Sequence, residues 1–321
     1  MGSRCADWMS QLPLELIDVP LCDLAIPGSH DTMTYCLDQH SPVLLSEPWI
    51  LTLLDQMVPC IIRPCIKKWA TTQEMSVSSQ LESGIRFLDL RIAHKKKDSN
   101  WTFYFAHGLY SLLSVKEVLS DVMDWLERHA NEVVIIALSA FDDMNPVQHS
   151  DLIDFLIQLF GNKLCPKSEM PSLRTCWTHG YQVILSYADP SGTEHKELWP
   201  QWDYWWANES DPNLVISYLE QKKTIGRPDG FFMAGLNLTE DTRYVLTHLT
   251  QSMKSMTLHA YTVLMDWVRK QHPGSRKTCL NIICADFVGI SRNEFCEVVI
   301  GLNTDRRIVK DGEGENNGVF T

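Results

Sequence analysis

Residues 26–31 read Ile26-Pro27-Gly28-Ser29-His30-Asp31. An apolar run over 21–26 feeds into Pro-Gly, a pair that punctuates a strand rather than continuing it. The stretch therefore predicts a strand that ends in a tight turn and delivers a His and an Asp side by side. Similar apolar runs recur at 85–92, 101–106, 133–138, 181–185, 231–236 and 280–285. Continuous apolar runs suit parallel strands buried on both faces. Helical patterns lie between them. Ser114-Val-Lys-Glu117 is a capping box opening a helix to about residue 130. Residues 146–160 form a second pattern, and Asp211-Pro212 places a cap before a first-turn proline. A long pattern covers 239–270 and a short one 292–301. Strand–helix alternation of this kind predicts an α/β fold with a parallel sheet.

Seven strands fit an open doubly wound sheet or a closed barrel. The polar residues favour the barrel: His30, Arg91, His107, Ser139, Tyr187, Asn237 and Asp286 fall at or just past the C-terminal ends of the runs. In a (β/α)8 barrel those ends converge on one mouth, where active sites sit. The expected fold is a single irregular TIM-like barrel, irregular because no eighth strand is evident. Neither a repeat nor a long linker divides the chain. One domain is expected over 1–321, with its core at about 6–302 and a flexible tail at 303–321.

Four short stretches carry chemistry: the turn ending in His30-Asp31, Arg86-Phe-Leu-Asp89-Leu-Arg91, Phe105-Ala-His107-Gly108 and Ala285-Asp286-Phe287. Asp89 and Arg91 are two apart on a strand, so they share a face. Each piece alone has an ordinary structural reading, as a salt bridge, a helix cap or a surface histidine. Together they supply two histidines, a carboxylate for each and one arginine. That set suits phosphodiester cleavage by an internal hydroxyl: one neutral His accepts a proton, one protonated His donates one, and Arg grips the phosphoryl oxygens.

These four stretches resemble the X region of phosphatidylinositol-specific phospholipase C, and the chain is similar to the short PI-PLC X domain-containing proteins from about residue 6 to 302. The resemblance implies a distorted TIM-like barrel. It implies that His30 is the general base for the inositol 2-hydroxyl and His107 the general acid for the diacylglycerol oxygen. It implies that Asp286 supports His30, that Asp31 supports His107, and that a cyclic inositol 1,2-phosphate forms first. Large eukaryotic phospholipases C bind calcium near the position of Asp89-Leu-Arg91, whereas bacterial secreted enzymes carry Asp-x-Arg there. Arg91 would repel a divalent cation in that space, so no cofactor and no metal are expected. The pattern departs from the bacterial one at two basic positions. Ser139 stands at one and Leu185-Ser-Tyr-Ala188 covers the other, which leaves Ser139, Tyr187 and Asn237 as the candidate substrate-binding residues.

The expected partner is an inositol phospholipid at a membrane surface, met transiently. The run Trp199-Pro-Gln-Trp202-Asp-Tyr204-Trp205-Trp206 is rich in interface-seeking aromatics. It nominates Trp202, Trp205 and Trp206 as membrane contacts, against the alternative of an aromatic loop covering the core. Residues 62–69 join Arg63, Lys67 and Lys68 to Trp69, a combination that suits anionic headgroups. Lys95-Lys-Lys97 reads as a solvated hairpin tip, placed at the end opposite Arg91 if its strands are antiparallel. Two other functions compete with the phospholipase reading. One is a metal-dependent glycerophosphodiester phosphodiesterase, which Arg91 opposes; the other is a non-catalytic phosphoinositide-binding protein.

Composition sets the outer limits. The 321 residues are 45% hydrophobic and 21% charged, within the range of folded soluble proteins. The net charge of −12 argues against a general nucleic-acid binder. The longest apolar stretch, 133–141, is too short to span a bilayer. No secretory signal is visible at the start, and the ten cysteines show no C-x-x-C pair. A cytoplasmic protein with reduced thiols is expected.

Overall fold

A computed structural model describes residues 5–96, 102–248 and 250–304. Residues 305–321 of the tail expected at 303–321, the rest of the Lys95-Lys-Lys97 tip and the first four residues lie outside the described residues. Asn303 and Thr304 are described and belong to the barrel rather than to a tail: Asn303 exchanges hydrogen bonds with the backbone of Ala25, at 2.8 and 2.9 Å.

Among the described residues ten strands run in chain order. β1 is Ile26–Ser29, β2 Phe87–His94, β3 Phe103–His107, β4 Leu109–Ser114 and β5 Val134–Asp142. β6 is Val183–Tyr187, β7 Leu198–Trp199, β8 Asp203–Trp205, β9 Phe232–Gly235 and β10 Ile282–Ala285. Eight of them form a curled parallel sheet in the order β7-β6-β5-β2-β1-β10-β9-β8. Among the described residues no ladder joins β7 to β8, so this is an irregular TIM-like barrel with a seam. The rings of Trp199 and Trp202 lie 6.2 Å apart beside that seam. β7 and β8 are the strands the sequence hides, because two or three residues are too few to show a period.

The helices are α1 Trp49–Met57, α2 Pro59–Ala70, α3 Val77–Glu82, α4 Val115–Arg128, α5 Pro146–Phe160, α6 Leu173–His179, α7 Pro212–Ile225, α8 Thr242–Thr247, α9 Met253–Val268 and α10 Glu294–Gly301. The expected capping box opens α4: the Glu117 amide donates to Ser114 Oγ while Glu117 accepts from the Ser114 amide. The long pattern at 239–270 is not one helix. Ser252 caps a fresh start at α9 by accepting from the Ser255 amide, and Asp241 caps α8 in the same way. The strand expected at 21–26 is also corrected. Residues Leu21–Asp23 make a 3-10 turn after Pro20, and Asn281 Nδ2 donates to the carbonyls of Leu21 and Leu24.

Alternation along each strand separates two apolar layers. Ile26, Phe87, Ile135, Ile184, Met233, Ile282 and Cys284 fill the barrel. Leu88, Leu90, Val134, Ile136, Val183, Leu185, Phe232 and Ile283 face the helices. Gly28 lies where β1 is crowded on both sides: a Cβ there would meet Ile282 and Phe87 at 3.0 Å.

The N-terminal segment plugs the bottom of the barrel through a fully buried ion pair. Arg86 Nη2 lies 2.6 Å from Glu132 Oε2, Glu132 accepts from the amides of Met9 and Ser10, and Arg86 donates to the carbonyls of Ala6, Leu81 and Ile85.

Candidate active site

β1, β2 and β10 are adjacent, and their inward residues rise to the same mouth. Asp89 and Arg91 point in from β2, and Asp286 follows β10. His30 follows β1, its amide donating to Ala285 O at 3.1 Å. Asp31 sits at φ 42°, a left-handed conformation that costs a non-glycine residue energy. The turn holds it there because the Thr32 amide donates to Asp89 O and Thr32 Oγ1 accepts from the Asp89 amide, both at 3.0 Å.

His107 arrives by a route the sequence did not suggest. β3 is not a barrel strand: it runs antiparallel to the end of β2, with Ile92 opposite Phe105, and turns into β4. This β2–β3 pairing puts the Lys95–Lys96 turn at the same end as Arg91, not the opposite one. His107 therefore comes back down onto the mouth.

The geometry centres on Asp31. Its Oδ2 lies 3.2 Å from His30 Nε2 and 3.3 Å from His107 Nε2. Its Oδ1 lies 2.6 Å from Arg91 Nε. His30 Nδ1 is 2.7 Å from Asp286 Oδ1, so a proton on Nδ1 leaves Nε2 facing Asp31. His107 Nδ1 lies 2.8 Å from Ala70 O. A carbonyl can only accept, so that nitrogen carries a proton and Nε2 faces the site. One carboxylate thus spans two imidazoles, with a guanidinium on its far oxygen.

Burial amplifies these charges. For His30 burial opposes the charged ring, but Asp31 and Asp286 outweigh it and raise the pKa to about 9. Burial pushes Asp31 up, yet Arg91, His107 and His30 overcome that and hold it at about 2. Asp286 and Asp89 are raised, chiefly by burial. Glu240, close enough to feel Asp286 and His30, is raised to about 7 by burial.

The other sequence candidates divide. Ser139 is the register partner of Arg91 on β5 and shares its inward parity. Asn237 is buried just past β9, its Oδ1 accepting from the Tyr204 hydroxyl at 2.9 Å. Tyr187 is corrected: it lies in the outer layer, its hydroxyl 2.7 Å from His149 Nδ1. The inward residue of β6 is its neighbour Ser186.

The tryptophans are corrected as well. Trp205 is 4% exposed and packs on Phe232. Trp202 precedes β8, at the end away from the mouth, and packs on Phe231. Only Trp206 stays on the surface, its indole nitrogen donating to Thr239 Oγ1 at 2.8 Å.

Two site residues escaped the sequence. Tyr204 enters the mouth from β8, its ring 6.2 Å from that of His30; the short strand concealed its inward parity. Gln73 straps the ends of β1 and β10 from above. Its Nε2 donates to His30 O at 3.0 Å and Ala285 O at 2.9 Å, and its Oε1 accepts from the Val288 amide. Nothing in a loop glutamine signals such a role.

His30, Asp31 and Asp89 each offer a donor atom within 4.8 Å of the others, enough to consider a cation. The Arg91 guanidinium already lies against Asp31 there. A calcium ion would ask for six to eight oxygens, and this donor set holds two carboxylates, an imidazole and a fixed positive charge.

Comparison with known proteins gives the family and the fold. Residues 66–229 match the PI-PLC X family, and the chain belongs to that family. PI-PLC X domain-containing protein 1 of Danio rerio is 64% identical over 297 residues, spanning 92% of this chain and 96% of the relative. The Homo sapiens protein of that name is 47% identical and covers 92% of each chain. Among solved structures, the phosphatidylinositol-specific phospholipase C from Listeria monocytogenes superposes with a TM-score of 0.61 at 18% identity. It covers 93% of this chain and 98% of the bacterial one. The Staphylococcus aureus enzyme gives 0.61 at 14% identity, covering 92% and 96%. The fold is that of the PLC-like phosphodiesterases.

Proposed function

We propose that the protein is a phosphoric diester hydrolase of the phospholipase C type, cleaving inositol phospholipid to diacylglycerol and an inositol phosphate. The observation that carries this reading is the Asp31 carboxylate shared by His30, His107 and Arg91.

The inositol 2-hydroxyl attacks phosphorus and loses its proton to His30 Nε2. The bond from phosphorus to the diacylglycerol oxygen breaks, and His107 Nε2 supplies the proton that oxygen needs. The product is a cyclic 1,2-phosphate. Water then opens the ring with the two histidines in exchanged roles. Asp286 orients His30 and stabilises its charged form, and Asp31 holds His107 Nε2 at the site. Arg91 meets the negative charge that grows on the phosphoryl oxygens.

A base must be neutral to act. With a pKa of about 9, roughly 1% of His30 is neutral at pH 7, so turnover climbs with pH. Arg91 stands as the fixed cation of the site, and the reaction runs without a metal. No helix among the described residues is long and apolar enough to cross a membrane. None of the cysteines among the described residues forms a disulfide, which fits work in the cytoplasm on a membrane surface.

The test is release of water-soluble inositol phosphate from phosphatidylinositol vesicles under excess chelator. Wild type is expected to turn over and His30→Ala to lose at least a hundredfold. Turnover that needs calcium would contradict the Arg91 reading. Equal turnover by His30→Ala, or none by wild type on any inositol lipid, would overturn the enzymatic one.

A further inference from the structure

Basic residues are outnumbered in this chain, 28 against 40 acidic ones, yet one pocket has no carboxylate in its wall. It lies where residues 269–279 join α9 to β10, at the end of the barrel opposite Asp286. Its volume is about 610 Å³, within the range of small-molecule sites. Lys223 of α7 forms one wall, and Arg269, Lys270, His272 and Arg276 form much of the rest. The pocket is a braced part of the fold. The Arg227 amide donates to Lys277 O at 2.9 Å, and its guanidinium donates to Gly274 O, Asp23 and Cys22 O. The Leu280 amide donates to His272 O at 2.9 Å. Gln271 is buried beneath the loop, its Nε2 donating to Trp267 O and its Oε1 accepting from Lys223.

The cations here fall into two groups. Lys223 is paired with Glu220, and Arg269 with Glu294 and Asp266. Among the described residues, Lys270, Arg276 and the adjacent Lys277 have no carboxylate partner, and all three are exposed. Like charges gathered in this way repel one another, and an anion among them removes that cost. The lining contains no Leu, Ile, Val, Met, Phe, Tyr or Trp, so it offers no anchor for an acyl chain or for an apolar peptide side chain. An arginine fork and lysine point charges instead match phosphate oxygens. Three uncompensated cations suit more than one phosphate group on the same small molecule. Lipid engaged at the mouth would leave this end of the barrel in water, which favours a soluble ligand over a lipid headgroup.

We propose that this pocket is a second binding site, for a soluble molecule carrying two or more phosphate groups, held by Lys270 and Arg276 with Lys277 at the rim. The ligand sits at the end of the barrel away from His30 and His107 and takes no part in the proposed reaction. The assignment therefore does not depend on turnover.

The test is calorimetric titration with inositol hexakisphosphate, ATP and pyrophosphate, each with chelator and at physiological ionic strength. Wild type is expected to bind, and Arg91→Ala to bind alike, because Arg91 belongs to the mouth. Lys270→Ala/Arg276→Ala changes two exposed side chains and is expected to lose at least about tenfold in affinity. Independently of any folding defect, amine-reactive labelling of wild type should fall at Lys270 and Lys277 when ligand is added. Labelling of Lys254, which pairs with Glu74, should not change. Undiminished binding by the double variant, loss of binding in Arg91→Ala, no protection at Lys270, or no binding of any of the three anions by wild type would overturn the assignment. A further arm separates the sources of phosphate. His30→Ala is expected to sediment with vesicles containing phosphatidylinositol 4,5-bisphosphate equally well with and without Lys270→Ala/Arg276→Ala. A drop would overturn the soluble assignment in favour of a lipid headgroup. Binding of a glutamate-rich peptide but of none of the three phosphates would overturn it in favour of an acidic protein segment.

Discussion

The charge on His30 can be followed by changing pH alone. Burial disfavours its proton, but Asp31 and Asp286 more than compensate, and the folded pKa is about 9 against 6.5 for a free side chain. Because the folded value is the higher one, the stabilisation is complete below pH 6.5 and disappears as pH rises through 9. At about 1.36 kcal/mol per pH unit the span comes to about 3 kcal/mol. An unfolding entropy of about 2.1 cal/mol/K per residue makes that about 5 °C for a chain of this length. Glu240, raised to about 7, withdraws its own contribution between 4.5 and 7, mostly below this window. The assay is urea unfolding at pH 6.5 and 9.5, with the His30 ring followed by NMR titration and assigned through His30→Gln. A His30 titration at or below 6.5, or no fall in stability across the window, would refute the electrostatic picture of the site.

Other expectations follow from the same coordinates. Asp286→Asn removes the carboxylate 2.7 Å from His30 Nδ1; the His30 pKa should fall, and turnover should drop because the ring loses its orientation, both read from a pH–rate profile. Arg86→Met strands a fully buried Glu132 and should cost about 3–5 kcal/mol, while Arg86→Met/Glu132→Leu recovers much of it, as thermal unfolding will show. Gln73→Ala deletes three hydrogen bonds that tie the ends of β1 and β10. It should cost about 2–3 kcal/mol and lower kcat more than it raises KM, since it positions His30 without touching lipid.

The site was legible in the sequence where chemistry is local. The turn 26–31 could be read because Pro-Gly fixes the backbone and two ionisable residues follow at once. Asp89 and Arg91 could be read because strand parity puts them on one face. His107 was found by motif, but its approach on an antiparallel hairpin was not, since a run of aromatics says nothing about strand direction. Tyr187 misled for the reason Tyr204 was missed: a shift of one residue turns a side chain to the other face of a strand. The tryptophan run could be read as a membrane contact or as a cover for the core; Trp202 packs on Phe231 beside Trp199 and Trp205 packs on Phe232, as a cover would. α1 and α2 stayed hidden because a helix shows in sequence by an apolar face that the core would bury, whereas α1 turns its apolar face outward.

The central claim is that an internal hydroxyl, assisted by His30 and His107 beside Arg91, cleaves the phosphodiester. The most direct measurement is 31P NMR of the products formed from phosphatidylinositol vesicles in the presence of excess chelator. The account predicts that inositol 1,2-cyclic phosphate appears first and that the acyclic phosphate follows. An acyclic product from the first turnover, or a cyclic product only when calcium is restored, would contradict it.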